Sequence, residues 1–306
     1  MSALLGGARM YSRRDLAKKS LAALAVIALP EGAARAQITP VGANLNVSPN
    51  RVVFAPNMRS ATVLVFNTGS EPATYNISLV DRVMTPQGAI IAADDAGKTP
   101  AAAAALARLK SAKEMIVFTP HRVVLGPGEN QTIRIVVLRP DALASGDYRT
   151  HLTITAVPPA DEGLTADQAA GATPGALSVK LTALFSLTIP LIVRQGPPET
   201  AADIADIQYR PPIPGGPAGG VLSFSILRKG ASSLYGLIEV RDAHGGKSDK
   251  PLGALGGVGV YAEIDQRIVN VPLTKAPVHG QQLKVLYIDE DVKPGQTLAT
   301  GDFTFA

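Results

Sequence analysis

The sequence predicts an all-β protein made of two antiparallel sandwich domains, with one small helical insertion in the first. Three observations predict it. Short runs rich in β-branched residues recur along the chain, Gly, Pro and Asn occupy the segments between them, and no regular alternation of strand and long helix is present.

Residues 46–54, 61–66, 73–80 and 132–138 read as strands because Val, Ile, Thr and Phe fill them. Asn67-Thr-Gly69 and Leu125-Gly-Pro-Gly128 supply turns between such runs. Residues 148–155 alternate apolar and polar side chains, and so does the long segment 178–194. Residues 94–114 are Ala-rich and predict a helical insertion; high helix propensity with little apolar bulk makes it an element expected to be dispensable for folding. Residues 158–175 read as a long loop of Ala, Gly, Pro and Asp. Gln195-Gly-Pro-Pro-Glu199 interrupts the apolar run and marks a linker. Beyond it, residues 205–209, 221–227, 234–240, 259–263, 268–271 and 283–288 form a second set of strands, with Pro211–Pro217 as a surface loop.

Charge is unevenly placed. Six of the 29 basic and two of the 25 acidic groups fall within residues 1–36, which leaves 23 of each for the rest. A body without charge excess has no general attraction for nucleic acid or an anionic membrane. The basic segment reads as a cleavable export signal: a basic start, the apolar run 20–29, then Ala34-Arg-Ala36 at small-x-small spacing. The apolar run is too short to span a bilayer, which takes about 20 residues, so no stable membrane insertion is expected. Ser12-Arg-Arg-Asp-Leu-Ala-Lys18 resembles the twin-arginine consensus, the alternative being an ordinary secretory signal that holds two arginines. The expected division is therefore 1–36 signal, 37–195 first domain and 196–306 second domain, with the periplasm as destination.

Enzyme chemistry finds little support. The chain has no Cys, which removes thiolate metal sites, a cysteine nucleophile and disulfides. His121, His151, His244 and His279 make no pair at ligand spacing, and Gly230–Gly236 does not spell a Gly-x-Ser-x-Gly elbow. Ala92-Ala-Asp-Asp-Ala-Gly-Lys-Thr99 approaches a phosphate loop, but Ala92 stands where the first Gly belongs and Asp94 and Asp95 would face the phosphates. The expectation is a non-enzyme with no cofactor and no metal.

Four segments carry a resemblance: Val47-Ser-Pro-Asn-Arg-Val-Val-Phe54, Arg59–Gly69, Phe118-Thr-Pro-His-Arg-Val-Val-Leu-Gly-Pro-Gly128 running on to Ile135, and Gly146-Asp-Tyr-Arg-Thr-His-Leu152. In that order and spacing they resemble the periplasmic pilus-assembly chaperones of the PapD-like type, well over 44–194 and only in general layout beyond 200. The resemblance implies two immunoglobulin-like sandwiches with a subunit-binding cleft between them. It implies pilus, fimbrial or spore-coat-type subunits as partners, held by donor-strand complementation, and an outer-membrane usher that receives them. The alternative is an immunoglobulin-like exported structural or surface protein that handles no pilin.

From Val179 to Val193 every odd position is apolar, so Val179, Leu181, Ala183 and Phe185 share one strand face. Such a row either packs into the protein's own core or stands at an edge that adds itself to an incomplete partner sandwich. The resemblance favours the second and assigns these four residues to subunit binding. It also implies a two-point basic anchor for the subunit's C-terminal carboxylate. Arg51 falls at the first point; Pro190 falls at the second, where it supplies no charge, so Arg51 acts alone or with Lys180 or Arg194. By the same alignment Arg194, Asp147 and Asp289 form an interdomain salt bridge.

Overall fold

A computed structural model describes residues 37–41, 44–158, 180–246 and 249–306. The expected export signal, the expected loop from 159 onward and Val179 lie outside the described residues. The first strands are β1 (Gln37–Val41), β2 (Leu45–Ser48), β3 (Val52–Phe54), β4 (Ser60–Asn67), β5 (Ala73–Val80), β6 (Arg82–Met84) and β7 (Ile90–Ala92). Helix α1 (Pro100–Arg108) follows. Next come β8 (Ile116–Thr119), β9 (Arg122–Leu125), β10 (Asn130–Val137), β11 (Gly146–Ala156), β12 (Lys180–Leu184) and β13 (Ser186–Gln195). The remainder are β14 (Ala201–Arg210), β15 (Val221–Lys229), β16 (Leu234–Asp242), β17 (Gly253–Val260), β18 (Gln266–Pro272), β19 (Gln282–Asp289) and β20 (Thr297–Thr304).

Two sandwiches result. In the first, the sheet β2-β4-β10-β8 faces the sheet β3-β13-β11-β5-β9. Their inward side chains, among them Phe54, Val63, Tyr75, Ile133, Leu152 and Leu191, make one buried core. In the second, β14-β15-β18 faces β17-β16-β19-β20 around Leu222, Phe224, Ile238, Val285 and Tyr287. Both sandwiches fall within one compact unit, residues 39–161 with 182–306. β1 pairs with β12 in a separate two-stranded sheet. Among the described residues no helix is long and apolar enough to cross a membrane.

Several elements depart from the sequence expectation. The run 46–54 is two strands on opposite sheets, because Pro49 and Asn50 interrupt the ladder and let the chain cross the core. β3 then pairs in parallel with β13, Val52 opposite Leu191, so the sandwich is not purely antiparallel. The strand expected at 259–263 is β17, which begins at Gly253 and ends at Val260, leaving Tyr261 and Glu263 in the following turn.

The Ala-rich segment is helical only in part: a 3-10 turn over Ala93–Lys98, then α1. Thr99 caps α1 by accepting from the Ala102 N–H at 3.3 Å, and Pro100 occupies the first turn, where its missing N–H costs nothing. In the phosphate-loop-like stretch Lys98 Nζ is spent on its neighbour Asp95, 2.6 Å away. The insertion, expected to be dispensable for folding, carries buried side chains of its own. Ala96, Ala102 and Ala105 are buried, and with Val83 and Met84 they share one apolar cluster with the core of the second sandwich and with Ile192 of β13. Small side chains bring the helix close instead of leaving it loose.

Gly236 marks how tightly the second sandwich is built, since a Cβ there would overlap the Ile288 carbonyl oxygen on β19. We expect Gly236→Ala to cost about 2 kcal/mol through forced backbone displacement, read as a lower urea midpoint at unchanged m-value.

Candidate functional site

Two groups of residues stand out, an ion cluster at the junction of the sandwiches and an apolar strand edge on the first. In the cluster, Asp147 opens β11 and lies directly across the ladder from Arg194 near the end of β13. Arg194 Nε donates to Asp147 Oδ1 at 2.9 Å, and its Nη2 donates to Asp147 Oδ2 at 3.2 Å and to Asp291 Oδ2 at 3.0 Å. The Asp147 carboxylate also accepts the Ser233 backbone N–H at 2.8 Å. Arg51 Nη2 donates to the same Asp291 oxygen at 2.9 Å, and its guanidinium lies 4.4 Å from the centre of the Tyr235 ring, a cation–π contact. Ser233, Tyr235 and Asp291 belong to the second sandwich, so the cluster ties the two together.

Burial opposes charge on both Arg194 and Asp291, and pairing outweighs it. Hydrogen bonds and the charges of Asp147 and Asp291 raise the Arg194 pKa above the ordinary arginine value. For Asp291, the Arg51 hydrogen bond and charge, then those of Arg194, hold the carboxyl below the usual aspartate value.

Arg194 and Asp147 are thus in contact, whereas Asp289 takes no part in the ion pair. The acid that reaches Arg194 is Asp291. Asp289 turns inward and caps its own loop, accepting the N–H groups of Asp291 at 2.8 Å, Val292 at 3.2 Å and Lys293 at 2.7 Å. Arg51 is engaged with Asp291 and Tyr235. Ser233, Tyr235 and Asp291 escaped the sequence reading because each depends on how a turn of the second sandwich meets the first.

A second buried cluster lies alongside. Arg149 on β11 pairs with Glu263 and stacks 3.9 Å from the centre of the Tyr261 ring. Glu263 Oε1 also accepts the Met84 backbone N–H at 2.9 Å. A cavity of about 340 Å³ opens here, lined by Arg108, Lys110, Asp147, Arg149, Arg228 and Glu263. His151, two residues along β11, is buried with Arg149 Nη1 3.1 Å from its Nε2. Burial first, then the charges of Arg149 and Arg82, push its pKa down to about 2.

The strand edge divides the predicted apolar row. Ile189, Leu191 and Val193 are buried in the first sandwich's own core, and Leu187 packs partly against it. Ala183 is half-buried, while Leu184 and Phe185 remain 48% and 46% exposed. Leu181 lies in β12, and its side chain is outside the described residues, as Val179 is altogether. On its inner side β13 pairs with β11 along nearly its whole length, but on its outer side β3 covers only Leu191 to Val193. Pro190, opposite His151, is the last residue before that cover begins, a place where proline is tolerated because it has no N–H to give a neighbour.

No protein-family profile matches the sequence, and no curated protein does. Solved structures do show similarity. The E. coli chaperone DraB is 16% identical, with 89% of this chain and 99% of that one covered at a TM-score of 0.41. The Pseudomonas aeruginosa CupB2 chaperone is 12% identical, with 85% and 100% covered at 0.41. The CsuC–CsuE chaperone–tip adhesion subunit pre-assembly complex from the archaic chaperone-usher Csu pili of Acinetobacter baumannii gives 11% identity, 85% and 98% coverage and 0.43.

Two acid limbs follow from the buried groups. His151 stays neutral in the folded chain but takes up a proton below about pH 6.5 when unfolded, so stability falls as pH drops, by about 2 kcal/mol at pH 5. We expect His151→Gln to flatten the dependence of unfolding free energy between pH 6.5 and 4. Asp291, with its pKa lowered, contributes stability that is present above the unfolded value near 4 and lost as pH falls through the folded value. Asp291→Asn should lose about 3 kcal/mol at neutral pH, because two guanidinium groups are left without their shared acid. It should also lose the steep limb below pH 4.

Proposed function

We propose that this chain is an exported, non-enzymatic chaperone of the periplasm. It captures pilus, fimbrial or spore-coat-type subunits by donor-strand complementation and hands them to an outer-membrane usher. One observation carries the reading: the odd-numbered apolar row fills the first sandwich's own core from Leu187 onward, yet its member Phe185 and the neighbouring Leu184 stay half exposed just before β13. A strand edge offers unpaired N–H and C=O groups to a subunit that lacks a strand, and alternate side chains set the register in its groove. Such a mechanism needs no nucleotide and no cofactor, since completing the subunit's fold supplies the binding energy.

The carboxylate anchor implied by the family resemblance takes a different form in this proposal. Arg51 is committed to Asp291 and Tyr235, and Pro190 carries no charge. Subunit affinity then rests on the edge and its apolar side chains, Val179, Leu181, Ala183 and Phe185, rather than on a captured C-terminus.

A second reading is favoured by the pairing of β1 with β12. A chain whose own Gln37–Val41 occupies that edge suits an exported structural or surface module that handles no subunit. Changing Phe185 to Glu separates the two. In a chaperone the variant keeps its β-sheet circular dichroism and melting temperature but loses subunit co-purification from periplasm, because a carboxylate would have to be desolvated in the subunit's apolar groove. Undiminished capture by a folded variant would exclude this edge as the binding surface.

A further inference from the structure

The insertion between β5 and β8 does more than decorate the first sandwich. It arises from the first sandwich by sequence and stays tied to it: the Ala93 N–H donates to the Asp81 carbonyl at 2.9 Å, and the Arg149 N–H on β11 donates to the Lys110 carbonyl at 2.8 Å. Its apolar side chains point elsewhere. Val83, Met84, Ala96, Ala102 and Ala105 are at most 3% exposed, and all of them belong to the apolar cluster that holds the core of the second sandwich and, from the strands of the first, Ile192 and the partly buried Val53.

Polar contacts repeat the pattern. The β6–β7 hairpin reaches β18, the border strand of β14-β15-β18, where the Ile268 N–H donates to the Pro86 carbonyl at 2.7 Å. That bond gives the outer edge of β18 one backbone partner. Gly88, at a φ of +83°, lets the hairpin tip lie against Arg267, whose Nε would be 2.8 Å from a Cβ at that position. At the other end of the insertion, Arg108 grips Asp265 with two hydrogen bonds of 2.6 Å. Between them Glu263 of the second sandwich is held at once by the Met84 N–H of the insertion and by Arg149 of the first sandwich.

We propose that residues 82–109 form an interdomain strap that holds the second sandwich at a fixed orientation to the first and makes the two unfold as one unit. Buried apolar side chains, a backbone hydrogen bond from β18 to the hairpin and a buried acid shared by both partners oppose hinge motion, because closing or opening the angle would expose the alanine face and strand Glu263 without a partner. The linker Gly196–Thr200 alone would permit such motion, and the strap restrains it together with the Arg194, Asp147 and Asp291 cluster at the same junction. This inference is independent of subunit binding, since its readout is the distance between the sandwiches.

The test exploits a chain that has no native Cys. Val124→Cys on the first sandwich and Val278→Cys on the second, 67% and 60% exposed, accept spin labels for pulsed dipolar distance measurement. In the otherwise unaltered chain we expect one narrow distance distribution and one calorimetric transition. Ala102→Asp, which puts a charge into the buried face of α1, and Gly88→Val, which forces the hairpin tip off Arg267 without entering either core, should each broaden the distribution and split the transition in two. If Ala102→Asp fails to fold, Gly88→Val still decides. A narrow, unshifted distribution and a single transition in Gly88→Val would overturn the strap.

Discussion

A guanidinium buried where two sandwiches meet must be compensated in place, and much of this architecture answers to that demand. Arg194 sits at the end of β13 with its side chain only 6% exposed, and a lone charge at that depth would cost several kcal/mol. Asp147 meets it from the neighbouring strand, which fixes the β11–β13 register at one end. Asp291 meets it from the second sandwich, which fixes where the β19–β20 turn must lie. Asp291 in turn compensates Arg51, and Arg51 covers Tyr235. The junction is therefore specified by charge geometry, and the buried apolar side chains of the insertion add to it.

The same junction explains why Arg51 has two incompatible descriptions. Read along the first sandwich alone, it is a basic side chain before a short strand, free to meet a carboxylate. Placed beside the second sandwich, it already has one, supplied within the chain by Asp291. A subunit carboxylate would have to displace that partner and the Tyr235 contact together, an exchange of one ion pair for another with no net gain in pairing. In the proposed chaperone, affinity for a partner rests instead on the stretch just before β13, where Leu184 and Phe185 remain exposed.

Legibility in the sequence followed the physics of each element. Strands such as β4, β5, β10 and β11 were readable because β-branched residues alternate between turn-forming ones. β17 was read only at its end, because Gly-Ala-Leu-Gly-Gly-Val-Gly-Val carries little β propensity and is held by its sheet neighbour β16. β20, rich in Thr, Gly and Ala, escaped for the same reason. The pairing of Arg194 with Asp147 was suggested by alignment to a family, but the choice between Asp289 and Asp291 depends on how a turn closes, and two acids one residue apart carry no pattern that tells them apart.

The insertion shows where reading by side-chain bulk fails. Alanine contributes little area per residue, so an Ala-rich helix looks expendable when judged alone. A small side chain, however, lets the backbone approach its neighbours closely, and the alanines here share one apolar cluster with the larger Leu222, Phe224 and Val269. Those residues lie more than a hundred positions downstream, outside any local window. What local propensity does determine is that residues 100–108 will be helical; which sandwich the helix serves is determined by Met84, Arg108 and Glu263, whose partners lie on separate parts of the chain. An element inserted in one domain can in this way supply the core of the next, and the boundary drawn by the linker at Gly196 divides the strands without dividing the packing.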